Sequence, residues 1–277
     1  MKKILSFLGK VLAIILAAFI LFLGAIQVLK EKAGEGNAVQ DSLAEIHKND
    51  WVDLGLPSGL LWGKCNLGGT SAGECNYFYA WGDTVCRGSD FRWLTYRFTE
   101  GDRVPETPSR YASQSTDYGK LLKYCTNAEC GKNGLVDNLT SLQPEDDAAT
   151  LSWGTGARIP TSEEWKELKE NTTQEWTTVD GIAGMLFKGR NGNSIFLPAA
   201  GYSQDGWLES FGTYGSYWSS TLGDKDMELS NSSHDVYAIV NATYTAKCFD
   251  FSSNNQFWMT TSFRYNGLSI RAVRSKN

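Results

Sequence analysis

Residues 157–168 read ARIPTSEEWKEL, and their second half carries a strong helix start. Thr161 can accept a hydrogen bond from the backbone N–H of Glu164, and the Glu164 side chain can reach back to the N–H of Thr161. That reciprocal pair is a capping box, which satisfies two of the donors a helix leaves open in its first turn. Trp165 and Leu168 stand three residues apart and share one face, so that face is expected to be buried. Asn171 is the expected end of the helix.

Just upstream, LQPEDDAATLSWG predicts a second helix starting at Pro144. Proline suits the first helical position, and Glu145, Asp146 and Asp147 would then sit in the first turn, where acids complement the helix dipole. Gln143-Pro144-Glu145 also has the form of a lectin calcium motif, but its place at a helix start favours the helical reading over calcium ligation.

Beyond these helices the chain breaks into short apolar runs between turn residues. GMLFKGRNGNSIFLPAAGY reads as a hairpin, with strands at 185–188 and 194–197 and a turn at 189–193. GSYWSSTL, VYAIVNATYT, KCFDFS and LSIRAVR supply four more candidate strands. WVDLGLPSGLLWGKCNLG gives two others around Pro57-Ser58-Gly59. Residues 99–119 are polar, with Pro105 and Pro108, and read as a long surface loop. Two helices among short strands and long loops make an α+β domain, and no repeat period indicates a solenoid or propeller.

Residues 1–32 differ from the rest. Lys2, Lys3 and Lys10 precede VLAIILAAFILFLGAIQVL (11–29), whose only polar residue is Gln27. That run approaches the ~20 apolar residues a membrane-spanning helix needs. It reads as an uncleaved anchor with a cytoplasmic basic end, and a cleaved signal sequence is the alternative. Residues 33–50 read as a polar tether and 51–277 as one domain, periplasmic or extracellular, or secreted if the signal is cleaved. The net charge of −5 and the absence of a Lys/Arg stripe speak against nucleic-acid binding.

Little catalytic chemistry is on offer. The two histidines, His47 and His234, lie in the tether and in a polar loop, too few for a triad or a multi-histidine metal site. The six cysteines lack zinc-site spacing. Cys65–Cys75 and Cys125–Cys130 disulfides and buried free thiols stand as equal alternatives. Residues 203–265 are more informative. They are dense in Ser, Asn, Tyr, Asp and Gly, with Trp207, Trp218 and Trp258 interspersed, a mixture suited to recognition of protein or glycan. Strand alternation assigns about half of these aromatics to the core instead.

ARIPTSEEWKEL, NGNSIFLPAAGY, GSYWSSTL and GLSIRAVR, in this order, resemble the Fibrobacter succinogenes major paralogous domain, a family abundant in exported proteins of Bacteroidetes-type bacteria. WVDLGLPSGLLWGKCNLG, YFYAWGDT, LLKYC and PEDDAAT extend the resemblance from Trp51 to Arg274. It implies the sulfatase-modifying-factor, or formylglycine-generating-enzyme-like, variant of the C-type-lectin-like fold. In that fold two helices pack on twisted antiparallel sheets, the terminal strands pair, and a loop-rich region presents the site. Formylglycine-generating enzymes hold copper with two late cysteines, whereas here only Cys248 falls in the last hundred residues. Related iron-dependent sulfur-transferring enzymes need a histidine triad, which two histidines cannot supply. No catalytic residue, metal or cofactor is therefore expected.

GSYWSSTL, the polar stretch after it and RYNGLSIRAVR also resemble the variable region of retroelement-diversified ligand-binding proteins. That resemblance implies ligand contacts at Asp235, Tyr237, Asn241, Tyr244, Asn254, Asn255, Trp258 and Arg264. The expected function is a non-catalytic, membrane-anchored cell-surface module binding a protein or glycan. A structural or adhesive component and a divergent enzyme are the competing classes.

Overall fold

The computed structural model describes residues 36–88, 90–100, 119–230 and 236–276. The expected membrane anchor at 11–29 lies outside them, as does most of the expected loop at 99–119. Among the described residues no helix is long and apolar enough to cross a membrane.

The architecture is mixed α+β, with few helices and small antiparallel sheets. β1 (Trp51–Asp53), β2 (Leu61–Gly63) and β15 (Val273–Arg274) form a three-stranded sheet with β2 in the middle. Trp62 faces Val52 on one side and Val273 on the other, so the two ends of the domain are stitched together. β5 (Thr172–Val179), β6 (Ile182–Gly189) and β7 (Ser194–Pro198) form a meander, which contains the expected hairpin. β5 extends it by a strand the sequence reading passes over. The third sheet runs β10 (Tyr214–Leu222), β13 (Thr245–Ser252), β14 (Phe257–Phe263). Three two-stranded pairs complete the set: β3 (Thr99–Glu100) with β4 (Lys120–Leu121), β8 (Tyr202–Gln204) with β9 (Trp207–Glu209), and β11 (Met227–Ser230) with β12 (Val236–Val240).

The segment expected as a tether is helical at 36–46, here α1, and it docks on the domain. Thr155 donates its backbone N–H to Gln40 O (3.3 Å), and the His47 ring stacks on Trp153 at 4.8 Å.

The helix of the opening stretch, α3 (Ser162–Asn171), has the capping box as expected. Arg158 reinforces it with two bonds to Glu164, at 2.7 and 2.5 Å. Trp165 and Leu168 are fully buried, and the Trp165 ring stacks on Phe249 of β13 at 4.9 Å. α3 therefore seats on the β10–β13–β14 sheet and fixes which of its faces is interior.

The other helix starts later than the sequence suggests. Pro144–Asp146 is a 3-10 turn, and α2 is Ala148–Trp153 with Asp147 as its cap. The acids expected in one first turn have separate roles. Asp146 is buried and accepts from Arg97 (2.9 Å), Lys123 (2.5 Å) and the Tyr124 hydroxyl (2.6 Å). Asp147 accepts the backbone N–H groups of Ala149, Thr150 and Ile159 at 2.8–3.1 Å. Burial pushes its carboxyl up to about 6 despite these donors. Asp147→Ala leaves all three N–H groups unsatisfied in the interior. An expected loss of about 2–4 kcal/mol, measured by urea unfolding, should shrink for Asp147→Asn, which retains one acceptor oxygen.

Two cores result. The larger contains Trp81, Phe91, Tyr124, Trp218, Leu268 and Ile270. The second lies between α3, the meander and the third sheet, around Trp62, Trp165, Phe187, Phe249 and Phe251. All six cysteines are free thiols, and only Cys86 among them is exposed.

Candidate functional site

The third sheet has two unlike faces because its residues alternate. Tyr217, Phe249, Phe251, Phe257 and Met259 point to the second core. The register pairs Ser216 with Asp250 and Asp250 with Trp258, so Tyr214, Ser216, Asp250, Trp258, Thr260 and Ser262 share the opposite face. Trp218 and Cys248 lie on that face too, but at the end covered by the larger core. Toward the other end Trp258 and Thr260 are exposed and Tyr214 is half-buried, above the buried Ser216 and Asp250.

Three aromatic rings line this end. Trp258 stacks on Tyr214 with centroids 6.2 Å apart and planes at 29°, and Tyr202 meets Tyr214 edge-on at 6.3 Å. Tyr202 belongs to the β8–β9 hairpin, whose turn is Asp205-Gly206 with φ of 51° and 87°. Positive φ at both positions fits a type I′ turn, for which Asp-Gly is a favoured pair. Gly201 donates to Tyr214 O (2.7 Å) and Ser203 exchanges two backbone bonds with Gly267, so the hairpin is held on both sides. Its register puts Tyr202, Gln204, Trp207 and Glu209 on one face. Trp207 is 73% exposed, Phe211 46% and Trp258 40%, and these are the large exposed aromatics among the described residues.

A buried polar group lies beneath the rings. Asp250 accepts from the Tyr214 hydroxyl (2.5 Å) and the Ser216 hydroxyl (2.7 Å). Burial raises its carboxyl above the usual range, and the two hydroxyls pull in the other direction. Burial also raises the Tyr214 phenol and the Cys248 thiol. A buried carboxylate is costly unless hydrogen-bonded, and here its bonds hold the Tyr214 ring in place. Gly215, next in the chain, leaves room below, because a Cβ there would lie 2.1 Å from the Phe251 ring. The result is a pre-set aromatic platform on a rigid sheet.

The expected contacts do not converge on this face. Trp258 is part of it. Asn254 and Asn255 are exposed on the β13–β14 turn, which is tied to the residue before Tyr214 by the Ser253 N–H bond to Thr213 O. Asn241 lies elsewhere, accepting the Thr243 N–H at the start of the 3-10 turn that precedes β13. Tyr237 is on β12, and Asp235 and His234 lie outside the described residues.

Tyr244 and Arg264 require correction, because both are core residues. Tyr244 is buried and donates its hydroxyl to Gly119 O (2.9 Å). Arg264 is 0% exposed and donates to Tyr96 Oη, Tyr124 O, Thr243 O and Lys123 O at 2.9–3.1 Å. Trp218, read among the recognition residues, is also fully buried.

Two concave grooves are also present, and the second borders Thr260 of the platform face. One, of about 820 Å³, runs between α1 and residues 141–161, past Gln40, Leu142, Asp147 and Ile159. Its charged groups are committed: Asp147 caps α2 and Arg158 pairs with Glu164. The other, of about 430 Å³, is bordered by Lys166, Asp224, Lys225, Lys247 and Thr260. There Lys247 pairs with Asp224 (2.7 Å) and Lys166 with Glu163 (2.9 Å). Among the described residues no three His, Cys, Asp or Glu side chains gather into a metal-binding group.

The chain matches no family model, no curated protein and no solved structure. The geometry of the molecule is thus the main guide to its function.

Proposed function

We propose that the chain is a non-catalytic binding module, held at a membrane by residues 11–29, whose domain lies outside the cytoplasm. In this reading the scaffold is C-type-lectin-like, of the formylglycine-generating-enzyme-like variety. The resemblance of ARIPTSEEWKEL, NGNSIFLPAAGY, GSYWSSTL and GLSIRAVR to the major paralogous domain supports that assignment. Fold alone does not confer activity, so the function is argued from the site.

The observation that carries the proposal is the Trp258–Tyr214–Tyr202 row, with Trp207 and Phe211 beside it. A fold that buries Trp62, Trp81, Trp165 and Trp218 completely leaves the exposed large aromatics, among the described residues, in two segments, 207–211 and 258. Such a concentration marks an interaction surface. Rigid aromatics with hydroxyls and amides around them give contact area at low entropic cost. The ligand class is a protein or glycan at the cell surface.

The experiment is a pair of arrays, one of glycans and one of surface proteins, probed with the full chain in detergent and with its Trp258→Ala and Trp207→Ala variants. The expected result is saturable binding to a small set of spots, weakened at least about tenfold in each variant. Melting temperatures should stay close to that of the parent, because both side chains are exposed. Binding that survives both substitutions would remove the platform from the proposal.

A further inference from the structure

We infer that the aromatic platform recognises an uncharged glycan, with a pyranose ring seated on Trp258. This inference rests on the reading of the platform as the ligand surface and narrows its ligand to one chemistry.

The first argument is charge. The segments that build the platform, 199–222 and 248–263, contain no Lys or Arg. Arg92 and Lys247, which stand beside these segments, are already paired, with Asp90 and Asp224 at 2.7 Å each, so a sulfated, phosphorylated or uronic glycan would have to compete with those carboxylates for its counter-charge. The acids on the same segments are not free to hold a cationic peptide. Both Asp250 oxygens are engaged by Tyr214 and Ser216 hydroxyls below the surface. Asp205 feels the opposing charge of Arg92, and Glu209 has an interaction of its own within the chain. The remaining surface of these segments is neutral: aromatic planes bordered by Gln204, Asn254, Asn255 and Thr260.

The second argument is shape. A pyranose offers a flat C–H face and a rim of hydroxyls that both donate and accept. Trp258 gives an exposed plane for the C–H face, and amides and hydroxyls nearby can do either job for the rim. The Asp250–Tyr214 bond fixes the neighbouring ring, so little order remains to be gained on binding. Hydroxyl contacts of this kind need no bridging cation.

The test titrates the full chain with neutral hexose oligosaccharides (gluco-, manno- and galacto-configured hexamers), an oligogalacturonate and hexalysine, following tryptophan fluorescence with and without EDTA. At least one neutral hexamer should give a saturable change, unaffected by EDTA and weakened tenfold or more in Trp258→Ala. Thr260→Ala, which removes only a rim hydroxyl, should weaken it severalfold and guards against a folding artefact. A response confined to oligogalacturonate or hexalysine, or one retained in Trp258→Ala, overturns the inference. If the neutral hexamers are silent while a protein binds through Trp258, the glycan inference fails and the binding-module reading stands. If no ligand of any class depends on Trp258 or Trp207, both fail together.

Discussion

Arg264→Ala is expected to leave the chain largely unfolded at room temperature. The guanidinium is completely buried and, among the described residues, has no carboxylate within its hydrogen-bonding shell; its acceptors are three backbone carbonyls and the Tyr96 hydroxyl. Its carbon also lies 5.0 Å from the Trp81 ring centre and 5.4–5.7 Å from those of Tyr96, Phe98 and Tyr124. Truncation removes the cation–π contacts, opens a cavity and leaves Lys123 O and Thr243 O without their donor, while Tyr124 O keeps only the Thr243 hydroxyl (3.2 Å). The two orphaned acceptors cost about 1–3 kcal/mol each and the cavity about 2 kcal/mol or more besides, so the total is about 5 kcal/mol or more, comparable to the whole stability of many domains. Arg264→Lys should rescue only part, because an ammonium cannot span acceptors arranged for a planar fork. Circular dichroism and urea unfolding decide the matter. A variant that folds and melts like the parent, yet loses ligand, would restore Arg264 as a surface contact and contradict its burial.

The second large effect is expected at Arg271. It donates to Asn66 Oδ1 through Nε (3.1 Å) and Nη2 (2.7 Å), to Gly63 O (2.9 Å) and to Phe196 O (2.8 Å). Asn66 continues to the Tyr217 hydroxyl (3.2 Å), which donates to Pro198 O (2.9 Å). One side chain therefore ties the end of β2 to β7 and, through Asn66, to β10. Burial lowers its pKa, so the charge is held at a cost that only these bonds offset. Arg271→Met should destabilise by about 3–5 kcal/mol, because three acceptors lose their partner while the volume is roughly kept. Adding Asn66→Leu removes one of those orphans and should recover part of the loss. A double variant no more stable than the single one would mean that Asn66 is satisfied without Arg271.

The parts of this fold that the sequence reveals are those determined within a few residues. α3 is such a part: Thr161, Glu164, Trp165 and Leu168 define its start and its buried face inside one short stretch. The 185–197 hairpin is another. β5 was equally local, since Val179-Asp180-Gly181-Ile182 carries an Asp-Gly turn with positive φ at both centres. The expected helix nevertheless ends at Asn171, and the expected strands do not include β5. The Asp205-Gly206 turn is missed in the same way, and with it the hairpin that carries Trp207.

What could not be read locally is which aromatic ends up outside. Trp218 and Tyr214 lie on the same strand and the same face, yet one is in the larger core and the other beside the exposed Trp258. The difference comes from what packs above each, which no strand pattern encodes. Arg264 misleads for the same reason: its partners Tyr96, Lys123, Tyr124 and Thr243 are scattered over the chain, so a polar residue in a polar stretch looked like a surface contact. Asp146 and Asp147 exchange a shared dipole role for separate buried ones because the helix starts two residues after Asp146.

The most direct measurement of the central claim is hydrogen exchange of the full chain with and without a ligand selected on the arrays. The platform account predicts slowed exchange in residues 202–214 and 253–262, with the α1 groove at 141–161 unchanged. Protection centred on 141–161, or spread with no focus on the two platform segments, would contradict it.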